Sequence, residues 1–130
     1  MGYTHYWTIT EPIDADAFSK LKKGIQQIVG TAQDAGIDIK DDSNDEQIVF
    51  NGVGAGEHES FFLALGDEGY NFCKTAGKAY DIAVTASLIL LKHELGDGVL
   101  IKSDGKWSDW EGGQLLYETV YNTQPESVFE

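Results

Sequence analysis

Apolar residues recur along this chain at two periods, and each period marks a kind of element. Residues 3–10 (YTHYWTIT) are aromatic and β-branched with weak alternation, which predicts a strand that Pro12 then stops. From Asp14 to Gly36 the spacing changes. Phe18, Leu21, Ile25, Ile28 and Val29 fall mostly three or four apart, acids lead, lysines follow, and Gly36 sits where a helix would be capped. This predicts an amphipathic helix, with Gly24 and Gly30 lowering its intrinsic propensity. Residues 37–46 begin as a short strand and end in an acidic turn. Residues 47–53 (QIVFNGV) and 59–65 (ESFFLAL) read as two strands, and the glycine-rich link between them predicts an antiparallel hairpin. Residues 66–78 read as a connector. The run Ala79–Leu95 is too long for a typical strand and closes on glycines, so it predicts a helix buried on most faces. Residues 99–105 predict a last strand and turn. Trp107, Trp110, Leu115 and Tyr117 or Val120 gather near one side of a final helix, which Gly112 and Gly113 weaken. The tail 123–130 frays or docks through Phe129.

Strand, helix, about three strands, helix, strand, helix is not the strict alternation of a dinucleotide-binding sheet. The order predicts an α+β fold: a mostly antiparallel or mixed sheet of about four to five strands with about three helices packed on it. No linker or internal repeat divides the chain, so residues 1–130 form one domain.

Composition sharpens this picture in one respect only. A chain 42% hydrophobic and 12% aromatic folds as a globular domain, since disordered chains lack the aromatics. A single cysteine cannot close an internal disulfide, which favours a reducing cytoplasm. The N-terminus lacks the basic segment and apolar run of a signal peptide, and the longest apolar stretch is about half a bilayer span, so no membrane association is expected. Charge changes more. Against 22 acids stand 9 bases, all lysines, for a net charge of −13. Such a field repels nucleic acid, so no direct nucleic-acid binding is expected, while a basic groove on another protein would be attracted. Without arginine, lysine point charges or backbone N–H groups would have to hold any anion.

Candidate chemistry is thin. Residues 52–56 (GVGAG) lack both dinucleotide spacing and a phosphate-loop lysine, and a strand follows them, so they read as a hairpin loop. His5, His58 and His93 show no metal-ligand spacing, and no metal or cofactor is expected. Cys73 has cationic neighbours but no identifiable base, which reads as a small buried hydrophobe and not as a nucleophile. Asp38, Asp41, Asp42, Asp45 and Glu46 form a solvated acidic turn or a phosphate-mimicking stripe. The connector at residues 71–81 (NFCKTAGKAYD) is the richest stretch. Lys74 and Lys78 precede a helix N-terminus that favours anions, Thr75 can donate, Tyr80 can stack and Asp81 can accept from a ribose or amine. The same residues also suit a plain helix cap, with the lysines in water and Tyr80 in the core.

The segments MGYTHYW, FNG, FCKTAGKAYD and SDGKWSDWEGGQLLYE, in this order, resemble an uncharacterised family of small bacterial and phage proteins. The chain departs from that pattern at Gly77 (usually basic), Ala79 (usually proline) and Lys106 (usually aspartate). The resemblance implies that polar and aromatic residues define the family, among them His5, Tyr6, Trp7, Asn51, Phe72, Cys73, Lys74, Thr75, Tyr80, Asp81, Ser103, Asp104 and Trp107; these, without Phe72 and with Lys78 from the connector, form the expected ligand-binding set, with no catalytic residue among them. The resemblance brings no established reaction with it; with the connector chemistry, the expected function is a phage-type anti-defence protein of the host cytoplasm that sequesters a small anionic or nucleotide-like ligand. The alternative is an acidic inhibitor, such as an anti-CRISPR, that blocks a basic groove of a host defence protein. A hydrolase or transferase using Cys73 or Asp81 is a third class, and a homo-oligomer is compatible with all three.

Overall fold

The computed structural model describes residues 3–129. Met1 and Gly2 of the MGYTHYW motif, and Glu130 of the tail, lie outside them. The order is β1 (Thr4–Ile9), α1 (Ala15–Asp34), β2 (Ile39–Asp41), β3 (Gln47–Gly52), β4 (Phe61–Ala64), β5 (Gly69–Lys74), α2 (Asp81–Leu95), β6 (Val99–Ser103) and α3 (Glu111–Tyr121). The α+β class is as expected, but the sheet is larger: six strands in two antiparallel sheets of three, ordered β5-β1-β6 and β2-β3-β4.

The extra strand is β5, within residues that the sequence suggests are a connector. Polar Asn71 and the glycines around it mask the signal, because β5 alternates in the opposite sense to an ordinary strand. Its apolar Tyr70 and Phe72 face water, whereas Asn71 and Cys73 turn inward. Only pairing with β1 supplies the reason to be extended, through the register His5↔Cys73, Tyr6↔Phe72 and Thr8↔Tyr70.

Helix α1 forms as its periodicity requires. Asp14 caps it by accepting from the Ala17 N–H at 2.8 Å, and Phe18, Leu21, Ile25, Ile28 and Val29 are buried. Helix α2 is buried at every position from Ala83 to Leu91, because it packs against both other helices and reaches β6. Its apolar character all round therefore reflects a central position and not a membrane span; no described helix is long and apolar enough to cross a bilayer. Against the inner side of the sheets, Trp7 stacks on Phe61 at 5.3 Å and Phe61 on Phe50 at 5.1 Å, joining the two sheets into one core.

The C-terminal helix differs from its expected form. Trp107 and Trp110 occupy a 3-10 turn ahead of α3, and Leu115 faces solvent while Leu116 and Tyr117 are buried. Gly112 and Gly113 do not weaken this helix so much as let it approach α2. A Cβ on Gly113 would lie 2.0 Å from Thr85 Oγ1 and 3.0 Å from the Ala86 backbone nitrogen. The tail docks: Val128 is buried and Phe129 meets Trp110 edge-on at 5.0 Å.

One substitution should therefore have opposite effects at two glycines. Gly113→Ala is expected to destabilise by about 1–3 kcal/mol, since rigid α2 cannot yield. Gly30→Ala, where a Cβ meets nothing within 4 Å, is expected to stabilise by roughly 0.5–1 kcal/mol through helix propensity. Urea unfolding followed by circular dichroism checks both signs.

Candidate functional site

The motif residues converge at one end of the β5-β1-β6 sheet, and what they build there is a hydrogen-bond network around His5. The side chain of His5 alternates to the inner face of β1 and is 0% exposed. A buried imidazole needs partners for both nitrogens. Nε2 lies 2.6 Å from Asp81 Oδ1, at the start of α2, and Nδ1 lies 2.8 Å from Ser103 Oγ, at the end of β6. Thr75 donates to the same Asp81 oxygen at 2.6 Å. Ser103 Oγ accepts from the Gly105 N–H at 2.9 Å and from Trp110 Nε1 at 3.3 Å, leaving its own hydrogen for Nδ1. One tautomer, with the proton on Nε2, satisfies every partner. Tyr3 and Trp110 close the ring's sides with edge-on contacts at 5.0 and 5.1 Å.

Serine, histidine and aspartate in this sequence of bonds have the connectivity of a hydrolase relay. Chemically the arrangement is an anchor. Ser103 Oγ is held in place by the Gly105 N–H and Trp110 Nε1 bonds as well as by His5, which ties the end of β6 to β1. Asp104 works beside it, accepting from the Thr4 N–H at 3.0 Å and from the Tyr6 hydroxyl at 3.2 Å.

A second cluster forms around the backbone carbonyl of Glu59, just before β4. Tyr80 and Cys73 both donate to it, the thiol at 3.4 Å, and the Glu59 side chain accepts from the Lys74 N–H at 2.8 Å. Burial, reinforced by the charge of Glu59, pushes the Cys73 thiol from 9.0 up to about 12. The Tyr80 phenol is likewise raised, chiefly by burial. Cys73 is thus an inert core thiol, as its sequence context suggests.

Several candidate residues are thereby corrected. Tyr80 is 1% exposed, with its ring in the core and its hydroxyl engaged, so it offers no face for stacking. Asp81 is engaged with both His5 and Thr75, and Trp7 is buried with its Nε1 N–H unpartnered in the core, so none of the three is exposed to a ligand as the sequence suggests. Lys78 is exposed and Lys74 half-buried at this entrance to α2, and the described cavities are lined by other residues. Asn51 ties the GVGAG loop instead, donating to the His58 carbonyl at 2.9 Å and accepting from the His58 N–H at 3.0 Å. That loop closes the β3–β4 hairpin. Trp107 is half-buried and packs on Trp110 and Phe129. Among the described residues no group of three or more histidine, cysteine, aspartate or glutamate side chains is placed to hold a metal.

Of the candidate set, Tyr6 and Lys74 lie on the outer face of the sheet with Phe72 of the FCKTAGKAYD motif, whereas their neighbours Tyr70, Leu100 and Lys102 are not singled out by the sequence. Residues directly paired across antiparallel strands share a face. The pairs Tyr6↔Phe72, Tyr6↔Lys102, Thr8↔Tyr70, Thr8↔Leu100 and Thr4↔Lys74 therefore define one surface. Tyr70 is 63% and Phe72 55% exposed, and Tyr6 stacks on Tyr70 at 6.3 Å. The available signal was the period-two recurrence of Tyr70 and Phe72, with the aromatic residues on the opposite face from Cys73. Strands β1, β3, β4, β5 and β6 contain no aspartate or glutamate at all, in a chain with 22 acids. Comparison with family models, curated proteins and solved structures returns no match to the chain.

Three outcomes follow from the networks. Asp81→Ala strips partners from buried His5 and from Thr75, and is expected to lower stability by about 2–3 kcal/mol in urea unfolding. Cys73 should resist Ellman's reagent at pH 8 in the native state and react at once when unfolded. Because the folded thiol holds its proton to higher pH than the unfolded one, its contribution is complete below pH 9.0 and is lost as pH rises toward about 12. Wild type should therefore lose more stability than Cys73→Ala between pH 8.5 and 11, read from urea midpoints.

Proposed function

We propose that this chain is an acidic binding protein that docks a basic partner protein on the outer face of its β5-β1-β6 sheet. The observation that carries this role is the exposed aromatic surface formed by Tyr6, Tyr70, Phe72 and Leu100, on three strands that contain no aspartate or glutamate, in a molecule of net charge −13. Protein interfaces have an aromatic centre poor in charge and a polar rim. Asp104, which accepts from the Tyr6 hydroxyl, marks the rim of this face, and the other acids stand on helices, loops and the edge strand β2. A basic partner is steered by that rim and held by the aromatic centre. The phage-type motifs suit an inhibitor acting in this way. Sequestering a small anion at Lys74, Lys78, Tyr80 and Asp81 draws less support, since Tyr80 and Asp81 are already engaged within the fold.

Affinity capture with the wild-type chain and with Tyr70→Ser/Phe72→Ser tests this. The captured protein should be basic. The double variant should weaken it by roughly 2 kcal/mol or more, about thirtyfold in Kd, as expected for central aromatic anchors. Raising salt should slow association more than it speeds release. Carboxylate mimicry alone would instead leave the double variant unaffected and collapse with salt. A retained metabolite in native mass spectrometry, or binding of a single-stranded oligonucleotide at the aromatic face, would overturn the proposal.

A further inference from the structure

Strand β6 is an edge, and its register shows which backbone groups it leaves open. The Thr10 N–H donates to the Gly98 carbonyl and the Asp104 N–H to the Thr4 carbonyl, both at 2.9 Å. Hydrogen-bonded pairs alternate in an antiparallel ladder, so the pairs Thr8–Leu100 and Tyr6–Lys102 exchange bonds with β1. The N–H and C=O groups of Val99, Ile101 and Ser103 consequently point away from β1. One contact confirms this orientation: Lys92 Nζ donates to the Val99 carbonyl at 2.9 Å from the outer side. Among the described residues no other backbone group bonds to Ile101 or Ser103 on that side. They open into a groove of about 410 Å³, bounded by Lys92, Lys102 and Phe129 as well as by β6 itself.

We infer that this groove accepts an extended segment of a partner protein as an added strand on β6, carrying a carboxylate toward Lys102. Ile101 and Ser103 lie two residues apart, the repeat at which an incoming strand presents its own N–H and C=O groups. The groove volume admits a short peptide of a few residues. Charge selects the occupant. Lys102 borders the groove with its side chain exposed, so a carboxylate of an incoming segment is attracted there in a molecule that is otherwise strongly acidic. Lys92 is held at the Val99 end by its carbonyl bond, whereas Lys102 is exposed. A second copy of this chain is disfavoured as occupant, because its β6 would bring the same lysines. The inference goes beyond the aromatic-face role: it engages the open backbone groups of one edge, with Leu100 and Lys102 bordering both surfaces and Tyr70 and Phe72 belonging to the aromatic face alone.

The test is selection from a random octapeptide library on the full chain, followed by amide hydrogen exchange with a selected synthetic peptide. Enriched peptides should alternate β-branched residues and include an aspartate or glutamate. Bound peptide should slow exchange of the Ile101 and Ser103 amides, and Lys102→Glu should weaken binding about tenfold. Methylating alternate backbone amides of the peptide should abolish binding, while Tyr70→Ser/Phe72→Ser should leave it unchanged, which separates this site from the aromatic face. The inference is overturned if no such peptide is selected, if protection falls elsewhere, or if inorganic phosphate alone protects these amides, which marks a plain anion site. Protection of Ile101 and Ser103 that rises with protein concentration in the absence of peptide marks self-pairing and overturns it equally.

Discussion

A buried imidazole must be hydrogen-bonded on both nitrogens, and in this chain that requirement ties together three segments distant in sequence. His5 brings β1, Asp81 with Thr75 brings the junction of β5 and α2, and Ser103 brings the end of β6 with the turn that leads to α3. Leaving any one of these buried groups without a partner costs about 1–3 kcal/mol, a large share of the stability of a small domain. A network in which every member is satisfied therefore admits few alternative arrangements of these elements. Trp110 and Gly105 complete it from the side of α3, so the third helix is positioned by the same histidine.

That anchor accounts for the polar motifs without a ligand. Thr75, Asp81 and Ser103 look like recognition chemistry in a linear sequence, and in the fold they recognise His5. The neighbouring Glu59 carbonyl does the same for Tyr80 and Cys73, drawing the entry to β4 onto β5. With the inner face of the sheet committed to these bonds and to the helices, the outer face and the β6 edge are left as surfaces that meet solvent or a partner. The three strands of that sheet contain no acid, and Asp104 borders their outer face at the Tyr6 hydroxyl. Lys74 and Lys102 stand on the same face, on either side of β1.

Much of the architecture is legible locally. Helix α1 announces itself by the spacing of Phe18, Leu21, Ile25 and Ile28 between leading acids and Gly36, and α2 by an apolar run closed on Gly96. The β3–β4 hairpin follows from alternation on either side of a glycine loop. Strand β5 was not legible, because its aromatic residues point to water and its inward positions are Asn71 and Cys73, which inverts the usual pattern. Leu115 misled for a related reason. A 3-10 turn precedes α3 and shifts the helical phase, so the buried stripe passes through Leu116 and Tyr117.

The sequence by itself determined the fold class, the positions of the long helices and most of the strands, and a strongly negative charge. All of these depend on local periodicity or on simple sums over residues. Only the tertiary structure decided what the polar residues are for. Whether Asp81 meets a ligand or His5, and whether Tyr80 stacks outside or donates to Glu59 within, depends on which distant segment the chain places beside it. The same holds for the outer face and the open edge, since a strand's solvent side and unpaired groups exist only once its neighbours and register are set.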